Sequence, residues 1–326
     1  MIKNNLYPPY LEAYRNGRLS RLIEETQEML ESCSICPRKC KVNRLKDEKG
    51  FCKTGLRASV CSFLAHHGEE PPISGTKGSG AIFFSHCNMS CVYCQNYEFS
   101  QLGQGKEVDA EGLAQFMLEL QKMGCHNINF VTPTHVMPQI LKALEIACSQ
   151  GLDLPLVYNT GGYETLEAIK LLAGIIDIYL PDMRYADSDI ALKYSSAPDY
   201  PKYNQEAVKE MHRQVGIARM DNTGIIKSGL VVRHLVLPNN LSGTEKIMKF
   251  IRDELSEKTY LSLMSQYLPY YRAAQFPEIS RRLKSGEYEK AKEILERYGL
   301  HNGWIQESYG EERFAGVHIK PGLKND

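Results

Sequence analysis

Three cysteines, Cys87, Cys91 and Cys94, fall within eight residues in the stretch FFSHCNMSCVYCQN. Gaps of three and then two residues let one tight loop aim three sulfurs at a point, as a soft metal or an iron–sulfur cluster requires. The next cysteine, Cys125, lies beyond an expected helix. Closed structural zinc sites and electron-transfer clusters normally take four protein ligands. Three ligands leave a metal position open, and an open position is where chemistry can occur. The plain alternatives are a three-cysteine zinc site and three thiols brought together by accident.

A second group precedes the first. Cys33, Cys36, Cys40 and Cys52 follow one another with gaps of two, three and eleven residues in CSICPRKCKVNRLKDEKGFC. Four thiols in a basic, glycine-containing loop suit a compact all-cysteine metal site that orders a small module. Zinc and a second iron–sulfur cluster both match these spacings, and unliganded thiols in an exposed loop would oxidise readily. Cys61 is near enough in sequence to substitute for one of the four, while Cys125 and Cys148 read as core thiols. The N-terminus lacks an apolar stretch of signal-peptide length, and no run is long enough to span a membrane. A cytoplasmic protein is therefore expected, and its cysteines read as metal ligands rather than disulfides. Lys plus Arg and Asp plus Glu are equal at 39 each. That balance gives no electrostatic ground for nucleic acid or an anionic membrane as the main partner.

The elements that must position these thiols alternate regularly. Residues 11–31 carry apolar positions at helical spacing. Residues 81–84 read as a short buried strand, so the three-cysteine loop leaves a strand's C-terminal end. Asp109 caps a helix bearing Leu113, Phe116, Met117 and Leu120, which Gly124 ends. Strand NINFV, a helix over 137–150 and strand LPLVY follow. Helix ETLEAIKLLA and strand IIDIYL come next, then a helix ending VKEMHRQVG and strand GLVVRHLVL. Helix GTEKIMKFIRDEL, strand TYLSLM and helical segments within 277–298 complete the series. This alternation predicts an α/β fold with a parallel sheet of six strands, open or closed into a barrel. The tail, with Trp304, reads as an irregular cover. Expected divisions are a cysteine-rich N-terminal module over 1–75, a core over 76–270 and packing helices and tail over 271–326.

In parallel α/β folds ligands bind at the C-terminal strand ends. Those ends here carry Thr132, Thr134 and His135, then Asn159 and Thr160, then Asp182 and Arg184. Arg233 and His234 alternate on the fifth strand, so one of them points away, and Gln266 and Tyr267 follow the sixth. Glu69 and Glu70, ahead of Pro71-Pro72, could face a cationic ligand, but solvated loop carboxylates are the commoner case.

The pattern C-x3-C-x-aromatic-C, with Tyr93 as the aromatic, resembles the signature of radical S-adenosylmethionine (SAM) enzymes. Across nearly the whole chain, CPRKCKVNR, HHGEEP, CNMSCVYCQN, NINFVTPTH, YNTGGYE, IYLPDMRY, VVRHLVLPN and SLMSQYLPYY are similar to the pyruvate formate-lyase activating enzyme-like branch of that superfamily. The resemblance implies a partial (β/α)6 barrel in which Cys87, Cys91 and Cys94 hold a [4Fe-4S] cluster and Tyr93 borders the adenine. Many relatives contact the methionine ammonium through Gly-Gly-Glu after the second strand. This chain has VTPTH there, which leaves Thr132 and Thr134, or their backbones, as local candidates. Asn159, Asp182 and Arg233 are further SAM contacts by position.

The resemblance also implies an activity and its partners. SAM is cleaved reductively, and the 5′-deoxyadenosyl radical removes a hydrogen atom, in activating enzymes from a glycine of a glycyl radical enzyme. A one-electron reductant such as flavodoxin or ferredoxin supplies the electron. Another peptide or small molecule is the alternative substrate. A non-catalytic iron–sulfur or zinc protein would close both sites, against which the missing fourth cysteine near Cys94 argues. A three-cysteine zinc hydrolase or deaminase wants a carboxylate base beside the thiols, which SHCNMSCVYCQN lacks.

Overall fold

The computed structural model describes residues 8–306. Its strands are β1 (Ala58–His66), β2 (Ser79–Phe84), β3 (Lys106–Val108), β4 (Ile128–Val131) and β5 (Leu156–Thr160), followed by β6 (Ile178–Pro181), β7 (Arg219–Met220), β8 (Ile226–Leu235), β9 (Tyr260–Met264) and β10 (Gly303–Ile305). One sheet runs β10-β9-β8-β6-β5-β4-β2-β1-β3, with β7 paired to β8. The six expected strands are β2, β4, β5, β6, β8 and β9, and they lie parallel in chain order. The fold is α/β with a mostly parallel sheet, the layout of an open barrel.

Three features differ from the sequence reading. β1 lies antiparallel against β2, and β3 antiparallel against β1. The β1 sequence ASVCSFLAH does not alternate cleanly, because both its faces are largely covered. Trp304, expected in an irregular cover, belongs to β10, which pairs parallel with β9. The rest of that tail, 307–326, lies outside the described residues. The single helix expected over 11–31 is two, Pro9–Arg15 and Arg18–Glu31, broken where Gly17 turns left-handed at φ 71°, a conformation glycine adopts without steric cost.

The inward positions of the parallel strands change character along their length. Side chains two residues apart share a sheet face. Val157, Ile178, Leu180 and Val231 form an apolar layer with Ile73. Asn159, Asp182 and Arg233 stand two residues further along the same faces. Ile73 reaches this layer because β1 runs against β2, with His66 opposite Ser79 at the start of β2. The chain is thus delivered to the lower ends of the parallel strands, where Asn127 Nδ2 donates to the Ile73 carbonyl at 2.9 Å.

Helices cover the other face. In Ala110–Lys122, Leu113, Met117 and Leu120 are buried, and the Asp109 carboxylate accepts the Gly112 N–H at 2.8 Å as N-cap. Full burial of such side chains stabilises by about 1.5–3 kcal/mol each.

Asp177, at the foot of β6, is a buried carboxyl with no cation paired to it among the described residues. Its Oδ2 accepts the Leu156 N–H at 2.8 Å, and burial pushes its pKa up to about 8. The unfolded chain ionises this group near pH 3.9, at roughly the reference value. The native state therefore holds a proton the unfolded state has lost. The resulting stability is complete below the unfolded value and is lost as pH rises toward 8. Asp177→Asn keeps an acceptor for Leu156 and stays neutral. Its stability relative to the parent, measured by urea denaturation, is expected to climb between about pH 4 and 8.

Candidate active site

The three-cysteine loop leaves β2 and is pinned at several points. Ser90 N–H donates to Ser195 O and Val92 N–H to Tyr194 O, each at 2.9 Å, while Arg272 N–H donates to Val92 O at 2.8 Å. Asn88 Nδ2 holds the Tyr163 carbonyl at 2.6 Å. Each sulfur has a polar neighbour. Met89 N–H donates to Cys87 Sγ at 3.3 Å, Ser195 Oγ donates to Cys91 Sγ at 3.0 Å, and Ser100 Oγ lies 3.1 Å from Cys94 Sγ. Arg184 Nη1 lies 3.9 Å from Cys91 Sγ.

As free thiols the outer two resist ionisation. Burial, then the neighbouring Cys91, holds Cys87 far above the usual thiol range and pushes Cys94 up to about 11. A bound metal reverses that balance, because coordinating thiols deprotonate outright. Three adjacent sulfurs with donors already aimed at them fit a [4Fe-4S] cluster.

Beside the loop a cleft opens across the strand ends, with an empty volume of about 1190 Å³ including its mouth. Each expected parallel strand supplies part of it: Tyr93 and Cys94 after β2, Thr132 after β4, Asn159 on β5, Asp182 after β6, Arg233 on β8 and Met264 on β9. Backbone register aligns these residues. Thr132 N–H donates to Asn159 O at 2.8 Å, Asp182 N–H to Thr160 O at 2.9 Å and Met183 N–H to Arg233 O at 2.8 Å. Thr132 is held at φ 61°, a strained value for a β-branched residue.

Charge is concentrated on the cleft floor. Arg233 donates through Nε to Asp182 Oδ1 at 2.9 Å, through Nη1 to Glu69 Oε2 at 3.3 Å and through Nη2 to Asn159 Oδ1 at 2.6 Å. Arg184 pairs with the other oxygen of Asp182. Glu69 Oε1 also accepts from Asn129 Nδ2 at 3.2 Å and Asn159 Nδ2 at 3.1 Å. Glu70 is buried, and its Oε2 has no partner. Burial works against ionisation of Asp182, but Arg184 and Arg233 outweigh it and hold the carboxyl below its usual range. For Glu69 and Glu70 burial prevails over Arg233, and both are pushed up.

Most expected site residues meet here. Tyr93, Thr132, Asn159, Asp182 and Arg233 line the cleft, as do Arg184, Gln266 and Tyr267. Thr134 does not. It begins the turn Thr134–Val136, which buries it and directs its hydroxyl to Glu164 Oε1. His234 points away, to Met183 O at 2.7 Å and Thr244 Oγ1 at 3.0 Å. His135 bonds Ser85 O through Nε2 at 2.9 Å. Glu69 and Glu70, expected as solvated loop carboxylates, turn their side chains inward because β1 carries their loop beneath the sheet: Glu70 is buried, and Glu69 is half-buried with its side chain 6% exposed. Their adjacency ahead of two prolines was the sequence signal. Tyr185 and Ser195, which back Tyr93 and Cys91, left none.

The N-terminal cysteines lie elsewhere. Cys33, Cys36, Cys40 and Cys52 line a separate small space with Arg44 and His135. Cys61 is not among them; it packs beside the cluster of Ala81, Phe83 and Phe99. Cys125 and Cys148 are buried in the main core.

A family model for the radical SAM superfamily matches residues 81–251. The chain belongs to the radical SAM superfamily. Membership implies a [4Fe-4S] cluster and SAM-cleaving radical chemistry. Two proteins of Methanocaldococcus jannaschii are similar to it. The uncharacterized protein MJ0674 is 32% identical over 299 residues, covering 89% of this chain and 82% of that one. The uncharacterized protein MJ0808 is 24% identical, covering 80% and 77%. Among solved structures, the FeFe-hydrogenase maturase HydG of Carboxydothermus hydrogenoformans matches with TM-score 0.47 at 14% identity, covering 90% of this chain and 66% of that one. Streptococcus suis SuiB bound to the precursor peptide SuiA matches with TM-score 0.47 at 9% identity, over 68% of this chain. The chain spans about half the length of SuiB, 47%. The described residues include no helix long and apolar enough to cross a membrane.

Arg233 is the cation shared by Glu69, Asp182 and Asn159 in this radical SAM cleft. Removing one partner of a buried ion pair leaves an uncompensated charge. Arg233→Ala is expected to lower stability in urea denaturation by on the order of 3 kcal/mol.

Proposed function

We propose that the cleft binds SAM, with its methionine end toward the Cys87–Cys94 loop, and that the chain uses it to remove a hydrogen atom from a substrate. The observation that carries this reading is three clustered thiols, without a fourth, opening beside a floor of buried carboxylates. Cys87, Cys91 and Cys94 would hold the cluster. A [4Fe-4S] cluster there, once reduced, supplies the electron that breaks the C5′–S bond of SAM, giving methionine and a 5′-deoxyadenosyl radical.

The protein's part is binding, orientation and exclusion of water. Glu69, Glu70 and Asp182 face two guanidiniums, Arg184 and Arg233, leaving one carboxylate in excess when all are ionised. SAM, with a sulfonium, an ammonium and a carboxylate, carries the matching net positive charge. Asp182 is fixed between two guanidiniums and offers steady acceptors. Tyr93 borders the adenine, and Thr132 and Asn159 lie within the same wall. Tyr267, Leu235 and Met264 supply the apolar lining. A flavodoxin or ferredoxin fits the role of electron donor. For the substrate, resemblance of the motifs to the pyruvate formate-lyase activating enzymes favours a glycine on a partner glycyl radical enzyme.

Anaerobic reconstitution with iron and sulfide, then reduction with SAM present, tests the reading. 5′-Deoxyadenosine and methionine are expected by chromatography, and both disappear in Cys91→Ala. A well-formed cluster that cleaves no SAM with any reductant would sink it. A glycyl radical signal in a co-incubated glycyl radical enzyme supports the finer assignment; hydrogen transfer to a different molecule overturns it.

The raised carboxyls add a pH dependence. Binding a cation favours ionised Glu70, so protonation at low pH competes with SAM. Affinity measured by equilibrium dialysis on the reconstituted protein is expected to rise with pH. In Glu70→Gln that slope flattens.

A further inference from the structure

The separate space lined by Cys33, Cys36, Cys40 and Cys52 is built like a ligand site. Cys33, Cys36 and Cys52 are buried, Cys40 is half-buried, and all four are free thiols. Two buried groups beside them lack the partners that burial demands.

The first is Arg44, only 1% exposed. Its Nε donates to Gly55 O at 3.1 Å and its Nη1 sits 4.0 Å from Cys33 Sγ. Its Nη2 has no partner, and no carboxylate pairs with it among the described residues. A buried cation needs a counter-charge, which thiolates on a bound centre would supply. The second is His135, also 1% exposed. Its Nε2 lies 2.9 Å from the Ser85 carbonyl and so carries the hydrogen, which leaves Nδ1 as a bare acceptor. That nitrogen is buried without a partner, and the ring borders the same space. An imidazole anchored by one nitrogen to a backbone carbonyl is oriented as metal-side histidines are.

The backbone around the thiols has little else to hold it. Between 32 and 57 the only regular element is the short turn Arg44–Lys46. Lys39, Lys41, Asp47 and Lys53 in that stretch all have positive φ. Gly50 lets Cys40 approach, since a Cβ there would meet Cys40 Cβ at 2.7 Å. Ligation at a shared centre would cross-link this loop and contribute to its folding.

Charge points to what the space holds. Four thiolates on one shared centre would supply the negative charge that the buried Arg44 lacks, and the unpartnered Nδ1 of His135 belongs to a ring bordering the same space. An all-cysteine set is the ligand set of iron–sulfur clusters. We infer that Cys33, Cys36, Cys40 and Cys52 hold a second iron–sulfur cluster, with Arg44 as its buried counter-ion and His135 beside it.

The test starts from Cys87→Ala/Cys91→Ala/Cys94→Ala, reconstituted anaerobically with iron and sulfide. Iron and acid-labile sulfide are expected in equal amounts, about four of each, with the Mössbauer signature of a cluster. Both are lost when Cys36→Ala and Cys52→Ala are added. Zinc without sulfide, or no bound metal, overturns the inference. Should the variants fail to fold, the intact chain decides it: about eight irons support two clusters, and about four overturn the second. Neither count depends on SAM cleavage, so failure of the proposed activity leaves this result standing.

Discussion

The interaction on which the cleft depends is the buried guanidinium of Arg233. It stands where four separate pieces of chain converge: the loop after β1 through Glu69, β5 through Asn159, the end of β6 through Asp182, and its own strand. Ions taken out of water cost several kcal/mol each unless geometry and hydrogen bonds compensate. Here every nitrogen of the guanidinium has an acceptor, and each acceptor belongs to a different element. The charges therefore fix the strand ends relative to one another as much as they prepare a binding site.

The thiol loop leans on the same framework. Arg184 bonds Asp182 with one nitrogen and approaches Cys91 with the other. Tyr200, at the start of the helix Tyr200–Val215, donates to Asp182 O at 2.9 Å and receives the Arg184 N–H at 3.1 Å. Ser195, the last residue of the helix Ser188–Ser195, reaches Cys91. Cluster loop and cleft floor are thus one connected polar network in a largely apolar sheet.

Much of this was legible in the sequence, for definite reasons. The parallel strands are short, apolar and bounded by helices with recognisable caps, so their order and their polar ends could be read directly. Cys87, Cys91 and Cys94 were conspicuous because their spacing is local. What escaped was non-local. β1 does not alternate, because both its faces are largely covered, and without β1 there was no way to see Glu69 and Glu70 pass beneath the sheet. The Thr134 side chain turns from the cleft because a single turn after β4 decides which of two threonine side chains faces it. Trp304 joined a strand only because the edge of β9 was free to receive it.

That antiparallel first strand has a consequence for how such proteins diversify. Two of the three floor carboxylates, Glu69 and Glu70, come from residues upstream of 81–251, the span shared with the superfamily, whereas Asp182, Arg184 and Arg233 come from within it. An exchange of a few residues before Pro71 would change the charge of the cleft floor while Cys87, Cys91 and Cys94 kept their places.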